Sequence, residues 1–89
     1  MQINFIGQTW KEGNAYVSYA PQLDVSTCGK TQEEARKNLI EAVEGFIEVT
    51  QKMGTLQDIL KEAGFIKQVK KQYWVAPELI ALERFSLAI

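Results

Sequence analysis

The strongest constraint on the fold of this chain is a long amphipathic helix near its middle. The run 31–34 reads Thr-Gln-Glu-Glu, a capping box in which the Thr31 hydroxyl accepts from the Glu34 amide and the Glu34 side chain reaches back. Apolar residues then recur at helical spacing on one face: Ala35, Leu39, Ala42, Val43, Phe46 and Ile47. The pattern predicts a helix over about residues 31–50, with its apolar face packed on a sheet.

The residues before this helix have the pattern of short strands. Ile3 and Phe5 alternate with polar residues, and a turn cluster follows at residues 11–14. An aromatic and β-branched run over 15–19 and an alternating run over 23–28 follow in turn. Tight connections between three such strands predict an antiparallel meander, with the long helix on one of its faces.

A second, shorter helix and further strands are predicted after the first helix. Thr55 is a candidate N-cap, and Gly64 stands where a left-handed residue ends a helix. Two short strands, 65–69 and 73–75, flank a turn at 70–72. Residues 78–89 carry both a helical stripe (79, 82, 85) and a strand alternation (85, 87, 89), and periodicity does not decide between them. We therefore expect one α+β domain over 1–89, with a core over about 1–50 and a C-terminal helix and strands over about 55–89.

Two scarce residue types restrict the chemistry of the chain. Its 89 residues contain no histidine and one cysteine, Cys28, which excludes Ser–His–Asp and Cys–His catalysis, His-containing zinc sites and an intramolecular disulfide. The single cysteine fits a reducing compartment, and no run approaches the roughly 18 apolar residues of a membrane span. We expect a cytoplasmic protein without a secretory leader or membrane segment.

Residues 10–48 resemble the HicB antitoxin family in the order and spacing of their motifs. The members of that family place a strand pair before a proline, a third strand that ends in Gly, and a helix that opens with Thr and a Glu-Glu-Ala cluster. The matching residues here are Ala15-Tyr16-Val17-Ser18-Tyr19-Ala20-Pro21, then Gly29-Lys30-Thr31-Gln32-Glu33-Glu34-Ala35, then Leu39, Ala42 and Phe46. The remainder of the chain looks like the tail of the short, single-domain members.

The resemblance implies a partial ribonuclease-H-like fold, in which a meander, a helix and a further strand follow one another. It favours a strand for residues 79–88, either at the sheet edge or paired with the same strand of a second subunit. The open sheet edge, which proteins rarely leave exposed, predicts a homo-oligomer, a dimer or a tetramer. The resemblance also implies a function, the neutralisation of a small basic ribonuclease, the HicA toxin, by masking it. Longer members carry a DNA-binding domain. Here one short helix is followed by apparent strands, so the sequence predicts no such domain and leaves operator binding in doubt.

No enzymatic, metal or cofactor site is predicted. The first candidate strand has no carboxylate at its centre, and Asp24 is the one acid within the three candidate meander strands. Residues 1–66 carry six basic and nine acidic side chains, a net charge of −3, which suits a basic partner. Six residues are candidates for partner binding: Trp10, Tyr16, Lys67, Lys70, Lys71 and Trp74.

Two alternatives stay open at this stage. Each tryptophan could lie at an interface or could cap the small core. The chain could also be a stand-alone oligomeric domain of the same fold with weak nucleic-acid binding or an unknown regulatory role. In that case Lys67, Lys70 and Lys71 would hold phosphates, while Tyr73 and Trp74 would stack on bases.

Overall fold

A computed structural model describes residues 2–68, 70 and 72–89 of the chain. The fold is α+β, as the sequence predicts, and the described residues form two three-stranded sheets and two helices. In chain order the elements are β1 (Gln2–Asn4), β2 (Gln8–Glu12), β3 (Ala15–Ala20), β4 (Val25–Gly29), α1 (Gln32–Met53), α2 (Leu56–Glu62), β5 (Ile66–Gln68) and β6 (Tyr73–Val75).

The antiparallel meander consists of β2, β3 and β4. A two-residue turn at Gly13 and Asn14 joins β2 to β3, with Gly13 at φ +61° and Glu12 opposite Ala15. This corrects the prediction that residues 2–5 form the first strand of the meander. The tight turn instead brings residues 8–12 into register with β3. Two of these strand residues, Lys11 and Glu12, belong to the segment that the sequence predicts as a turn.

The second sheet has the order β1-β6-β5, with β6 parallel to β1 and antiparallel to β5. Only residues 5–7 separate β1 from β2, so one N-terminal segment serves both sheets. The amide of Ala76 extends the β1–β6 pairing by one bond to the carbonyl of Asn4, at 2.9 Å. The helix-spanning connection between β1 and β6 is what allows two parallel strands to lie side by side.

Helix α1 confirms Thr31 as its N-cap and ends three residues later than expected. The Thr31 hydroxyl accepts from the Glu34 amide at 3.0 Å, and Gly54 ends the helix at φ +75°. The helix lies on the inner face of the meander, where its first turn is close to β4. A β-carbon added to Gly29 would be 2.6 Å from the Ala35 nitrogen, and the Thr27 hydroxyl donates to the Ala35 carbonyl at 3.0 Å.

A single core joins both helices to both sheets. Its buried members are Ala20, Leu23, Leu39, Val43, Leu56, Leu60, Phe65 and Trp74. Thr55 precedes α2 as predicted, but its backbone is helical (φ −104°, ψ −8°) and its hydroxyl bonds back to the Thr50 carbonyl instead of capping. Gly64 follows the helix at φ +88°, which confirms the predicted left-handed stop.

Two further predictions need correction. The strand expected over 23–28 begins at Val25, because Leu23 and Asp24 belong to a turn in which Asp24 has φ +53°. Residues 78–89, for which the family resemblance favours a strand, form neither helix nor strand within the chain and are exposed throughout.

Candidate functional site

The outer face of the meander is an open surface that carries aromatic side chains. Residues directly opposite one another on antiparallel strands share a face, and successive residues alternate between faces. Ser18 and Ala20 are fully buried and therefore lie on the inner face, beneath α1. The outer face then carries the alternate residues of the three strands: Gln8, Trp10, Glu12, Val17, Tyr19, Ser26 and Cys28.

Two aromatic side chains meet at the centre of this face. The rings of Trp10 and Tyr19 are in T-shaped contact, with centroids 6.4 Å apart and planes at 78°. They come from neighbouring strands, because Gln8 is opposite Tyr19 and Trp10 is opposite Val17. Trp10 remains 41% exposed. The pair therefore presents aromatic surface to solvent while each ring fixes the orientation of the other.

Each of these aromatic groups also donates a hydrogen bond to a carboxylate. The indole N–H of Trp10 donates to Glu12 Oε1 at 3.4 Å, and the phenol of Tyr19 donates to Asp24 Oδ1 at 2.9 Å. The left-handed backbone of Asp24 turns this carboxylate back towards β3. The two bonds place negative charge beside exposed rings, which gives this part of the surface both apolar area and acidic character.

The hydrogen bond between Tyr19 and Asp24 changes the titration of the phenol. The pKa of Tyr19 is raised above its ordinary value, chiefly because the bond to Asp24 stabilises the protonated phenol. Desolvation and the negative charge of Asp24 act in the same direction. Tyr19 therefore stays a hydrogen-bond donor across the neutral range, and the pair keeps its geometry there.

Of the candidate partner-binding residues that the structure describes, only Trp10 lies on this face. Tyr16 is on the opposite face of β3, beside Lys11, whose ammonium nitrogen is 5.9 Å from the centre of the Tyr16 ring. The strand alternation separates the two candidates, although both stand near the same hairpin turn. They cannot contact one partner surface as a single patch.

The basic candidates belong to the other sheet. Trp74 in β6 is 2% exposed and lies in the core, so the core alternative holds for this tryptophan. The Lys67 ammonium is 5.8 Å from the centre of its ring, and Lys70 is exposed in the turn between β5 and β6. Lys71 is outside the described residues. Because Trp74 is buried, its ring does not supply the base-stacking surface that the nucleic-acid alternative requires.

Three residues of the contacts on the outer face, Glu12, Tyr19 and Asp24, are not predicted from the sequence as site residues. Glu12 was assigned to a turn, Asp24 to a strand, and Tyr19 was given no role. A signal was available in the two-residue turn at Gly13 and Asn14. This turn sets the register in which Trp10, Val17 and Tyr19 share one face. A longer turn over residues 11–14, as the sequence pattern predicts, does not give that register.

Within the described parts of the chain, no three carboxylate or thiol side chains come together in a way that could hold a metal ion. Cys28 is a free, exposed thiol on the outer face of β4. No described helix is both long enough and apolar enough to cross a bilayer.

Comparison of the chain with protein-family models, curated proteins and solved structures found no match. The function is therefore inferred from the geometry of the outer face together with the motifs of the sequence.

Proposed function

We propose that this chain is a non-catalytic protein-binding module, an antitoxin of the HicB type that neutralises a small basic ribonuclease of the HicA type by masking it. The observation that carries the proposal is the pair of aromatic–carboxylate contacts on the outer face, Trp10 with Glu12 and Tyr19 with Asp24. Exposed aromatic rings supply the apolar area of a binding hot spot, and adjacent carboxylates select cationic side chains.

The charge distribution supports a basic partner. Residues 1–66 have a net charge of −3, and their nine acidic side chains include five exposed carboxylates of α1: Glu33, Glu34, Glu41, Glu44 and Glu48. Complementary charge accelerates encounter and excludes partners of like charge, whereas the aromatic centre supplies affinity. A ribonuclease that binds RNA through a basic surface has the charge that such a face attracts.

The arrangement of elements also supports the family resemblance. A meander is followed by a long helix on one face and then by a strand that joins the N-terminal segment in parallel. The meander and the helix on its face agree with the resemblance, whereas the later strand is β6 and not the one that the resemblance favours at residues 79–88. The other face of the meander is free of packed elements among the described residues. A partner could cover that face without displacing any part of the fold.

The test is co-expression with the product of a small basic reading frame beside the gene for this chain. We expect the two proteins to co-purify, and we expect this chain to relieve the growth arrest caused by its partner and to inhibit RNA cleavage by the purified partner. Absence of a complex, or cleavage unchanged at saturating concentrations of this chain, would reject the proposal.

Matched variants test whether the interface lies on the outer face. The substitutions Trp10→Ala and Asp24→Asn should each weaken the complex by about tenfold or more, because truncated hot-spot residues typically cost over 1 kcal/mol. Ile66→Ala and Glu78→Gln serve as controls, since they remove an exposed apolar and an exposed acidic side chain elsewhere. Equal effects of test and control variants would contradict an interface at Trp10 and Tyr19.

A further inference from the structure

The C-terminal segment, residues 78–89, exposes an apolar strand pattern. Phe85, Leu87 and Ile89 alternate with small residues at 86 and 88, so one face of an extended chain would be wholly apolar. Phe85 is 78% exposed and Leu87 is 85% exposed. A monomeric protein seldom leaves adjacent large apolar side chains in water, so this segment has the character of an interaction element.

The acceptor that such a strand needs is the free edge of β2. Because Glu12 and Ala15 close a two-residue hairpin, they exchange backbone hydrogen bonds, and the ladder then alternates along the strand. The amides of Thr9 and Lys11 consequently point away from β3. No described strand pairs with this edge of β2, and unpaired edges of this kind are templates for strand addition.

A groove beside this edge suits the apolar side chains of the segment. Helix α1 lies mainly over β3 and β4, which leaves a cavity of about 390 Å³ between α1 and the inner face of β2. Gly7 and Thr9 line it on the strand side, while Leu39 and Ile40 line it on the helix side. A strand added to β2 would direct every second side chain into this groove.

The segment does not reach the β2 strand of its own chain. The amide of Ala76 still bonds to β1, whereas Pro77 has no amide and its ring lies beside Gly64. A cleft of about 550 Å³ separates it from the junction between β1 and β2. The segment projects from the body, so the radius of gyration is 15.0 Å, against roughly 12 Å expected for a compact chain of this length.

We propose that two copies of this chain form a dimer by reciprocal exchange, in which residues 84–88 of each copy add to the free edge of β2 in the other. We infer an antiparallel register with Arg84 opposite Glu12 and Ala88 opposite Gln8. It pairs opposite charges on the outer face and directs Leu87 and Ile89 towards Thr9 and Gly7. The dimer stands on this geometry alone and does not depend on the proposed function.

Reciprocity explains why one chain carries both halves of the contact. With a twofold axis each copy gives one strand and receives one, so the assembly closes at two and leaves neither free edge open. Six large apolar residues of the segment are exposed, namely Leu79, Ile80, Leu82, Phe85, Leu87 and Ile89. Three of them, Phe85, Leu87 and Ile89, lie on the face of the added strand that is directed into the groove. At about 100 Å² each they bury about 300 Å² per segment, and two segments together with the surface that they cover reach the roughly 1,200 Å² of a stable interface.

Sedimentation of the intact chain tests the dimer. We expect a species of twice the 10.1 kDa chain mass at micromolar concentration. The double substitution Phe85→Glu/Leu87→Glu should raise the dimer dissociation constant by about tenfold or more, whereas Ile66→Glu, at another exposed apolar position, should leave it unchanged. A wild-type monomer, or an assembly that survives the double substitution, would overturn the proposal.

The backbone edge is tested separately at Lys11. Lys11→Pro removes the amide that faces the incoming strand without removing a bond to β3, and Lys11→Ala is its control because it keeps that amide. The proline variant should dissociate the dimer and the alanine variant should not. If circular dichroism shows that Lys11→Pro is unfolded, Thr9→Pro provides the same test at the other outward amide. A dimer that tolerates a folded proline variant would contradict strand addition at this edge.

Disulfide trapping distinguishes exchange from pairing between the two C-terminal segments. In a Cys28→Ser background, chains carrying Gln8→Cys are mixed with chains carrying Ala88→Cys. Position 88 lies opposite position 8 in a non-hydrogen-bonded pair, where the Cα atoms are about 4.5 Å apart and can be bridged. We expect a disulfide-linked heterodimer. Linkage only between two Ala88→Cys chains would show that the segments pair with each other, and no linkage would reject the register.

Discussion

The ring of Pro77 lies beside Gly64, on the side towards which a β-carbon on that glycine would project. The distance from Pro77 Cγ to that position is 3.0 Å, and Gly64 has φ +88°. The glycine that ends α2 and the proline that ends the β6 pairing are therefore in contact across the sheet. The contact lies where the chain leaves β6, immediately before the exposed C-terminal segment.

Substitution of Gly64 by alanine should destabilise the protein by about 2 kcal/mol. A left-handed backbone costs a residue with a β-carbon about 1 kcal/mol, and the new methyl group must displace Pro77 at further cost. Gly54→Ala is the matched control, because Gly54 also follows a helix at positive φ but has no atom within 4 Å of the added carbon. Chemical denaturation should show the smaller loss for Gly54→Ala, by about 1 kcal/mol.

A double-mutant cycle tests whether the contact between Gly64 and Pro77 causes the larger loss of stability in Gly64→Ala. In a Pro77→Ala background, Gly64→Ala should cost no more than Gly54→Ala, since the obstructing ring is gone. If the excess cost of Gly64→Ala persists without Pro77, the contact does not account for it.

Local signals in the sequence predict the helices well. The capping hydroxyl of Thr31 and the left-handed stop at Gly64 are short-range features, whose partners lie within a few residues along the chain. The strand register was harder to predict, since one residue of error at the Gly13 turn reassigns every side chain to the opposite face. For that reason the sequence does not predict that Trp10, Glu12, Tyr19 and Asp24 lie together on the outer face.

Substitution by alanine should lower the free energy of unfolding at Gly29 and raise it at Gly45. Gly29 faces the start of α1, where a β-carbon would be 2.6 Å from the Ala35 nitrogen, so Gly29→Ala should cost about 3 kcal/mol as the helix is pushed from the sheet. Gly45 is an exposed position within α1 with no atom near the added carbon, and Gly45→Ala should stabilise by about 0.5–1 kcal/mol.

The two alanine variants are compared by urea denaturation, with the slope of unfolding free energy against urea checked for constancy. A Gly29→Ala protein of wild-type stability would mean that α1 does not approach β4 as closely as the structure shows. Loss of stability in Gly45→Ala would show that this helix position is not open to solvent.

The bond between Tyr19 and Asp24 should be visible in a tyrosine titration. Because the pKa of Tyr19 is raised in the folded state, the contribution of this bond to stability is complete below the unfolded pKa of about 10. It is lost as the pH rises through the folded pKa. Asp24→Asn removes the charge and weakens the acceptor, so the pKa of Tyr19 should fall towards its ordinary value.

Ring-labelled tyrosine and NMR resolve Tyr19 from the other two tyrosines in this experiment. Glu41→Gln is the control, because it removes an exposed carboxylate on α1, away from the phenol. A Tyr19 titration that is unaffected by Asp24→Asn would show that the phenol does not bond to this carboxylate in solution.

The two tryptophans show where local sequence stops being informative. Both lie in short strands beside polar turns, and the residues next to them in the chain do not indicate which tryptophan is buried. The burial of Trp74 depends on the parallel pairing of β6 with β1, about 70 residues earlier, and on contacts with the core formed by both helices. Such long-range pairing leaves little trace in the alternation of a three-residue strand. Trp10, by contrast, belongs to a strand at a sheet edge.

Fluorescence should therefore distinguish the two tryptophans. Trp10→Phe leaves the buried Trp74 as the sole indole, and we expect blue-shifted emission that iodide quenches weakly. Trp74→Phe leaves the half-exposed Trp10, with red-shifted emission and quenching that is several-fold stronger. Trp74→Phe should also cost about 1–3 kcal/mol of stability through the space left in the core, partly offset because the indole N–H has no partner among the described residues. Equal quenching of both single-tryptophan proteins would contradict the assignment of one indole to the core and the other to the outer face.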